Sequence, residues 1–334
     1  MSRRSCCLIC PRGLAVVSIG EVMKNSETGE FVRWESQFRN WVTPTGEAGP
    51  RGEGGFKAEP ERYHLYVSLA CPWAHRTLIF RKLKRLEDVI SVSVVHPVMP
   101  EESWLFGSYP GATVDHVHGY RKLAQLYEQV KPGYDGVVTV PVLYDKQRHQ
   151  IVNNESSEVI RMFNSAFDAW GDGELDLYPE PMRNRIDELN EFVYDRVNNG
   201  VYKAGFAKTQ PAYEKAFDQL FDALDQLEAR LEQNPWLIGD RPTEADWRLF
   251  PTLVRFDAVY YGHFKCNRQR IVDYPNLWAW LRALYRVPGI AETVSMDHIK
   301  THYYASHPSI NPHGIIPKGP QIDFQSPGGM GRYD

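Results

Sequence analysis

The stretch HLYVSLACPWAHRTLIFRKLKRLED, residues 64–88, places one cysteine at the junction of two different patterns. Residues 63–68 alternate as a strand does, and residues 73–86 repeat apolar side chains at helical spacing. Cys71 lies between them, and Pro72 follows at the first helical position, where its missing N–H costs nothing. Unpaired N–H groups and the helix dipole favour a thiolate there. We therefore interpret Cys71 as a reactive cysteine with a lowered pKa; the alternative is a small buried apolar residue.

The residues after Cys71 predict a monothiol mechanism. The run is CPWA, so Ala74 stands where the second cysteine of a C-x-x-C pair would be. The site cannot close an internal disulfide, and an outside thiol must complete any redox cycle. Glutathione is the abundant candidate in a reducing compartment. We expect His75 and Arg76, which follow, to add positive charge near the sulfur.

The composition of the 334 residues limits the classes of function. This length suits two domains, and 43% apolar residues can form a sizeable core. A charged fraction of 24% and a net charge of −4 argue against nucleic-acid and membrane-surface partners, which favour basic proteins. No window holds the roughly 18 apolar residues that a membrane span needs. Five cysteines, an odd number, indicate a reducing compartment, and we expect a cytoplasmic protein.

The N-terminal residues 1–30 are predicted to be a disordered tail. Early arginines and an apolar run resemble an import signal, which we keep as an alternative, but Pro11 and Gly13 interrupt the run and no cleavage site follows. Cys7 and Cys10 form a C-x-x-C, with Cys6 beside them. No second pair accompanies it, so we expect no metal site.

The pattern of residues 63–172 predicts an α/β domain, preceded by an irregular leader at 31–62. Strands are predicted at 63–68, 91–96, 142–144 and 150–152, with helices at 73–86, 115–130 and after 155. The order β-α-β-α-β-β-α implies a sheet with a parallel pair first and a hairpin last.

Residues 173–306 read as an all-α domain. Helices are predicted at 181–198, 211–233, 243–261 and 274–285, and no strand is convincing. The TEAD run at 243–246 fits a capping box, in which Thr243 and Asp246 satisfy each other's backbone N–H groups. The Pro- and Gly-rich residues 307–334 are predicted to be an extended C-terminal coil.

Two further stretches could hold a peptide-like ligand. A cis Pro141 would turn the backbone of Val140 outward, where an extended peptide could pair with it. The alternative is an ordinary trans proline. Glu155 and Ser156, at a helix start, could bind an ammonium and a carboxylate. Plain N-capping is the alternative for this pair.

These residues together resemble the glutathione transferases. CPWAHRT, TVPVLYD, NNESSEVIRMFN, VNNGVYKAGFA, LVRFDAVYYGHFKCN and INPHGI are similar to the glutathionyl-hydroquinone reductases, the xi class of that superfamily. The resemblance extends over residues 31–320. It implies a thioredoxin-like N-terminal domain followed by an all-helical glutathione-transferase C-terminal domain. CPWA stands where the conjugating classes have Tyr or Ser, which argues against ordinary transferase activity.

The resemblance also implies roles for individual residues. Cys71 matches the nucleophile and Tyr202 the proton donor, while Tyr260 and Tyr303 match tyrosines that help to lower the thiol pKa. Tyr194, Tyr261 and Tyr304 are neighbouring alternatives. A basic residue often stands in the family where this chain has Val137. The implied glutathione-binding residues are Trp104, Val137, Val138, Thr139, Val140, Glu155 and Ser156.

The function implied is the removal of glutathione from glutathionyl-hydroquinones through a mixed disulfide at Cys71. Glutathione is a co-substrate, and no bound cofactor is expected. Members of the superfamily are usually dimers, which implies a homodimer. One alternative is an omega-type thioltransferase or dehydroascorbate reductase, which would not need the tyrosines. A second alternative is a non-catalytic binding module, but a reactive Cys71 argues against it.

Overall fold

A four-stranded sheet forms the centre of the first domain in the computed structural model, which describes residues 26–100, 103–327 and 333. The strands are β1 (Tyr63–Val67), β2 (Ser91–Val94), β3 (Val142–Asp145) and β4 (Gln150–Asn153), in the order β2-β1-β3-β4. β1 pairs in parallel with β2, while β3 is antiparallel to both β1 and β4. The predicted parallel pair and terminal hairpin are confirmed. The expectations for Cys6, Cys7 and Cys10 fall outside the described residues.

Three helices accompany the sheet: α1 (Pro72–Leu83), α2 (Leu123–Val130) and α3 (Ser156–Ser165). α1 makes the crossover between the parallel strands and packs against α3. The helix predicted at 115–130 is wrong in its first half. There the Asp115 carboxylate accepts the N–H groups of Val117 and Tyr120, and Gly119 has φ +69, so the chain forms turns instead.

The leader covers the edge of the sheet. The Asn40 N–H donates to the carbonyl of Val152 at 2.9 Å, and the Asn153 side chain donates to the Asn40 carbonyl at 3.0 Å. An edge strand with unpaired backbone groups can pair with another chain and aggregate. The leader occupies part of this edge and so blocks such pairing. The leader also carries Arg33 to the helical domain, where its Nε donates to Asn199 Oδ1 at 2.5 Å.

The second half of the chain is helical. Two π-helical turns, Tyr194–Asn198 and Phe256–Tyr260, directly follow α-helices that end at Val193 and Arg255. Such turns are often found at functional sites. The helices are α4 (Arg183–Val193), α5 (Gly200–Gly205), α6 (Gln210–Gln233), α7 (Glu244–Arg255), α8 (Tyr261–His263), α9 (Pro275–Tyr285) and α10 (Met296–Ala305).

Helix α10 has no counterpart among the predicted elements. Its buried side chains include His298, Thr301 and His302, so burial does not follow the apolar pattern that marks a helix in a sequence. The capping box of α7 is confirmed, since the Thr243 N–H donates to Asp246 Oδ2 at 2.9 Å.

The two halves of the chain meet along α1, which packs against α7 as well as α3. After α10 the chain has no further regular element up to residue 327, and Phe324 stacks on Tyr285 with ring centroids 5.0 Å apart. Among the described residues, no helix is both long enough and apolar enough to cross a membrane.

Candidate active site

A pocket lies at the junction of the two domains, and it brings most of the predicted site residues together. Tyr260 is the exception, because it is completely buried behind Tyr303 and does not reach the pocket wall. The predicted residues that line the pocket are Cys71, Trp104, Val137, Val138, Thr139, Val140, Glu155, Ser156, Tyr202 and Tyr303.

Cys71 stands at the N-cap of α1, as the sequence predicted. Its φ of −74° and ψ of 122° are extended, and Pro72 opens the helix behind it. The backbone N–H groups of Trp73 and Ala74, in the first turn of α1, lower the pKa of the thiol. The Sγ atom in turn donates to the Val140 carbonyl at 3.6 Å, which brings α1 and the strand-entry segment together.

The expected low pKa of Cys71 is not the net result of these contacts. The side chain keeps some exposure to the pocket, yet burial raises its pKa above the ordinary value, more than its neighbours lower it. The opposing groups are the two backbone N–H donors and the charges of Arg255 and Arg33. The position of Cys71 at a helix start could be inferred from the sequence, whereas the exclusion of water from around its sulfur could not.

His75 does not supply the positive charge that was expected. Burial and the charge of Arg255 hold its pKa well below the ordinary value, so the imidazole is neutral. Its Nδ1 accepts a hydrogen bond from Arg255 at 3.0 Å, and its Nε2 donates to Thr293 Oγ1 at 2.8 Å. Arg76, the other expected cation, instead points to Asn198, whose Oδ1 accepts from its Nη2 at 2.7 Å.

Three tyrosine hydroxyls form a chain that ends in the pocket. Tyr303 is central, 2.6 Å from the Tyr202 hydroxyl and 2.9 Å from that of Tyr260. Burial raises the pKa of all three, so they are neutral phenols that can donate protons. None of these hydroxyls hydrogen-bonds the Cys71 sulfur in the described structure. Tyr260 reaches the pocket only through Tyr303, and the implied help of its hydroxyl in lowering the thiol pKa stays a prediction.

The neighbouring tyrosines have separate roles. Tyr194 lines the pocket and packs on Trp73, with centroids 5.7 Å apart. Tyr304 donates to the Ala258 carbonyl at 3.3 Å, away from the pocket, and Tyr261 does not line it either. Tyr202 and Tyr303 are thus the two members of the hydroxyl chain that line the pocket.

Trp73 forms an aromatic wall between two cations. The guanidinium of Arg33 lies 4.7 Å from its ring centroid and that of Arg76 lies 4.6 Å away. Arg33 also lies 4.9 Å from the Tyr202 ring. Flat rings and cations suit an electron-rich aromatic ligand with polar oxygens.

The residues implied to bind glutathione occupy the opposite side of the pocket. The Val140–Pro141 peptide bond is cis, the form of the two considered that would turn the Val140 backbone outward. The Thr139 carbonyl accepts from the Tyr127 hydroxyl at 2.9 Å, which fixes the segment that leads into β3. Trp104 stacks on His302 with centroids 5.0 Å apart, so a residue of α10 holds the tryptophan in place.

Glu155, rather than Ser156, caps α3. Its Oε1 accepts the Ser157 N–H at 3.1 Å, and its Oε2 accepts the Ser36 hydroxyl at 3.1 Å. Burial raises the pKa of Glu155, but these hydrogen bonds and the charge of Arg76 outweigh it and lower the pKa below its ordinary value. A carboxylate is therefore present at the pocket wall and can bind an ammonium group.

Most of the pocket residues that sequence reasoning missed lie in irregular segments, and His302 lies on α10. A residue in an irregular segment shows no periodicity, and a contact between distant parts of the chain leaves no local pattern. Within the described ranges, no group of three or more His, Cys, Asp or Glu side chains could hold a metal ion. The missed residues are Arg33, Trp34, Ser36, Met99, Ser103, Asn154, His302 and His307.

Comparison with known proteins agrees with this geometry. A model of the glutathione S-transferase N-terminal domain matches residues 70–166, and one of the C-terminal domain matches residues 210–283. The chain is 58% identical to the glutathionyl-hydroquinone reductase YqjG of Escherichia coli, over 91% of this chain and 93% of that protein. It is 52% identical to the glutathionyl-hydroquinone reductase PcpF of Sphingobium chlorophenolicum, over 88% and 91% of the two chains.

Solved structures extend the agreement. The glutathione-bound structure of Escherichia coli YqjG superposes with a TM-score of 0.86, covering 88% of this chain and 96% of that one. The xi glutathione S-transferase of Phanerochaete chrysosporium, 53% identical, also gives 0.86 and covers 91% and 96% of the chains. With this identity over almost its whole length, the chain belongs to the glutathionyl-hydroquinone reductases, the xi class of the glutathione transferase superfamily.

Proposed function

We propose that this protein removes glutathione from glutathionyl-hydroquinones, with Cys71 as nucleophile and Tyr202 as proton donor. One observation carries the proposal: the cysteine and the end of a hydroxyl chain face the same pocket. A thiol reductase acting on disulfides needs only the sulfur, whereas cleavage of a carbon–sulfur bond also needs a proton for carbon. The family to which the chain belongs supports the same substrate class.

Glutathione occupies the side of the pocket formed by Val140, Glu155 and Ser156 in this proposal. Its peptide backbone lies along Val140, and its γ-glutamyl ammonium faces the Glu155 carboxylate. Its carboxylate meets the N-terminus of α3, where unpaired N–H groups and the helix dipole favour an anion. Trp104 covers the tripeptide, and the quinone ring lies against Trp73.

The first step breaks a carbon–sulfur bond. The Cys71 thiolate attacks the glutathionyl sulfur, and a disulfide forms between the two sulfurs. The electron pair of the broken bond goes to the ring carbon, which takes a proton from the Tyr202 hydroxyl. Tyr202 regains a proton from Tyr303, which also lines the pocket and takes a proton from the solvent there. The hydroquinone leaves, and Cys71 remains as a mixed disulfide with glutathione.

The second step restores the cysteine. The thiolate of a second glutathione attacks the glutathione sulfur of the mixed disulfide. Oxidised glutathione leaves, and the Cys71 thiolate is released. The two electrons that reduced the ring carbon therefore come from two glutathione thiols, and no cofactor is required.

The discriminating test compares three substrates with one enzyme preparation. A glutathionyl-hydroquinone should be turned over far faster than dehydroascorbate, the substrate of omega-type enzymes. Chlorodinitrobenzene, the usual substrate of conjugating transferases, should react poorly. Dehydroascorbate as the best substrate would favour the omega-type alternative, and no turnover of any of the three would favour a binding module.

The other cysteines are expected to be dispensable. Replacing Cys6, Cys7, Cys10 and Cys266 together with alanine should leave turnover of a glutathionyl-hydroquinone near the wild-type rate. Cys266 is completely buried, and burial raises its pKa, so it is a structural thiol. The measurement is kcat/KM of the quadruple variant beside wild type. A collapse of activity would mean that one of the four acts as a resolving cysteine.

The Glu155→Gln variant should bind glutathione about tenfold more weakly, because a charged partner of the ammonium is lost. The glutamine can still accept from the Ser157 N–H, so the start of α3 is preserved. Titration with glutathione, followed by tryptophan fluorescence, measures the Kd. Glu35→Gln is the matched control, since it removes an exposed carboxylate beside Ser36 that does not line the pocket. Equal Kd values for the two variants would remove Glu155 from the binding site.

We also infer a cytoplasmic homodimer. Attack on a mixed disulfide by a second glutathione needs a compartment in which glutathione is reduced. Proteins of this superfamily are usually two-fold dimers. Sedimentation velocity at several protein concentrations tests this oligomeric state directly.

A further inference from the structure

Arg255, the last residue of α7, is a completely buried cation at the interface between the two domains. Its guanidinium donates to the carbonyls of Ala70 at 2.9 Å, Leu69 at 3.0 Å and Pro251 at 2.8 Å. Its remaining hydrogen bond goes to His75 Nδ1 at 3.0 Å. All of these acceptors are neutral, and within residues 26–100 and 103–327 no carboxylate forms an ion pair with this side chain.

Such a charge is unusual because burial of an unpaired ion is costly. Buried Arg76 likewise has neutral hydrogen-bond partners, whereas two other well-buried cations follow the ordinary rule. Arg62 pairs with Asp145, with Nη2 and Oδ2 2.5 Å apart, and Lys84 pairs with Asp168 at 3.0 Å. Carbonyl groups satisfy the N–H donors of Arg255 but carry no net negative charge. Its positive charge therefore acts on whatever group nearby can become an anion.

Cys71 is that group. The two domain-one carbonyls that bind Arg255 belong to Leu69 and Ala70, the residues directly before the cysteine. The charge of Arg255 acts on the Cys71 sulfur more strongly than that of Arg33, the other cation that faces it. Glu155 lines the same pocket but is engaged at the start of α3.

The other titratable groups near Arg255 cannot balance it. The His75 and His302 pKa values are lowered by burial and those of Tyr260 and Tyr303 are raised, so all four are neutral near pH 7. The groups that face Cys71 or Arg255 from the packed elements are Arg33, His75, Glu155, Tyr202, Tyr260, His302, Tyr303 and His307.

We propose that Arg255 is a positioning residue, which fixes the Leu69–Ala70 carbonyls across the domain interface and supplies the charge that stabilises the Cys71 thiolate. Packing of the helical domain on the thioredoxin-like domain then determines how readily the cysteine ionises. The inference rests on the proposed function only in taking Cys71 as the nucleophile.

The test measures ionisation of Cys71 without any quinone. The background is the variant in which Cys6, Cys7, Cys10 and Cys266 are alanine, so that Cys71 is the single thiol. Into it are placed Arg255→Met, Arg255→Lys and the matched control Arg248→Met. Arg248 is on the same helix and has a carboxylate partner in Glu244, at 3.3 Å. Thiolate absorbance against pH and the rate of alkylation by iodoacetamide are recorded for each.

We expect Arg255→Met to raise the thiol pKa and to slow alkylation near neutral pH about tenfold, because less thiolate is present. The rate should recover at high pH, where the thiolate forms without help. Arg255→Lys supplies an ammonium but loses the planar fork and is neutralised more readily by burial, so its alkylation should be slowed less than that of Arg255→Met. Arg248→Met should leave both readouts unchanged.

Two results would overturn the proposal. One is a thiol pKa in Arg255→Met equal to that of the background. The other is an equal rise in the lysine and methionine variants, which would reduce Arg255 to a structural link. If the methionine variant does not fold, Arg255→Gln replaces it, and Cys71 must still ionise more readily in the lysine variant than in the glutamine variant. None of these readouts depends on hydroquinone release, so failure of the proposed function would be seen separately.

Discussion

The Cys71→Ala variant is expected to release hydroquinone from a glutathionyl-hydroquinone more than about 10⁴-fold more slowly than wild type, because the nucleophile is lost. The reason is that no other thiol reaches the pocket in the described structure. Cys71 is the cysteine that lines it, and Cys266 is buried elsewhere in the helical core. The measurement is hydroquinone release with glutathione in excess, followed by chromatography.

The substitution should spare the fold and the binding of glutathione. The Cys71 side chain makes one weak hydrogen bond, to the Val140 carbonyl, and its backbone contacts with Ser68 and His75 persist in alanine. Circular dichroism and the Kd for glutathione should therefore match wild type. Cys71→Ser can gain weak conjugating activity, because a hydroxyl still hydrogen-bonds a glutathione thiolate. Appreciable hydroquinone release by the alanine variant would rule out the monothiol mechanism.

Features that arise within a short stretch of sequence could be predicted well. The strand, Cys-Pro and helix run placed Cys71 at the N-cap of α1, and the TEAD run gave the capping box of α7. In each case the determinant is local stereochemistry: a proline suited to a first turn, or a side chain within reach of its own backbone.

Features that depend on distant contacts could not be predicted. The Arg255 hydrogen bond to the Leu69 carbonyl joins residues 186 positions apart, and neither local pattern indicates it. Arg33 belongs to an irregular leader, where no periodicity exists to assign a face. The Cys71 pKa shows the same limit, because the helix terminus is local while the exclusion of water needs both domains.

The second large effect is expected at Tyr202. Tyr202→Phe keeps the aromatic ring and removes the hydroxyl that faces the pocket, so the ring carbon must take its proton from a poorer donor. We expect single-turnover hydroquinone release to slow about 10²-fold, within the usual worth of a general acid. The Cys71 pKa should change little, because the Tyr202 hydroxyl hydrogen-bonds Tyr303 rather than the sulfur.

The other members of the chain give graded controls. Tyr303→Phe interrupts the path by which Tyr202 recovers a proton. It also removes the hydroxyl that lies 2.6 Å from the Tyr202 hydroxyl. Tyr260→Phe removes only the far end of the chain, so its effect should be the smallest of the three. The implied help of Tyr260 and Tyr303 in lowering the thiol pKa stays a prediction, and the Cys71 pKa measured in each variant tests it.

The pH profile of single-turnover release separates a proton donor from a group that favours the thiolate. Since burial raises the Cys71 pKa, the thiol is protonated near neutral pH and the wild-type rate should rise with pH. A variant that only raises the thiol pKa further regains its rate at high pH, because the thiolate then forms anyway. Tyr202→Phe should stay slow there, since ionisation of Cys71 does not replace the missing proton. If the release rate of Tyr202→Phe instead recovered at high pH, the Tyr202 hydroxyl would act by stabilising the thiolate, and water would be the proton donor.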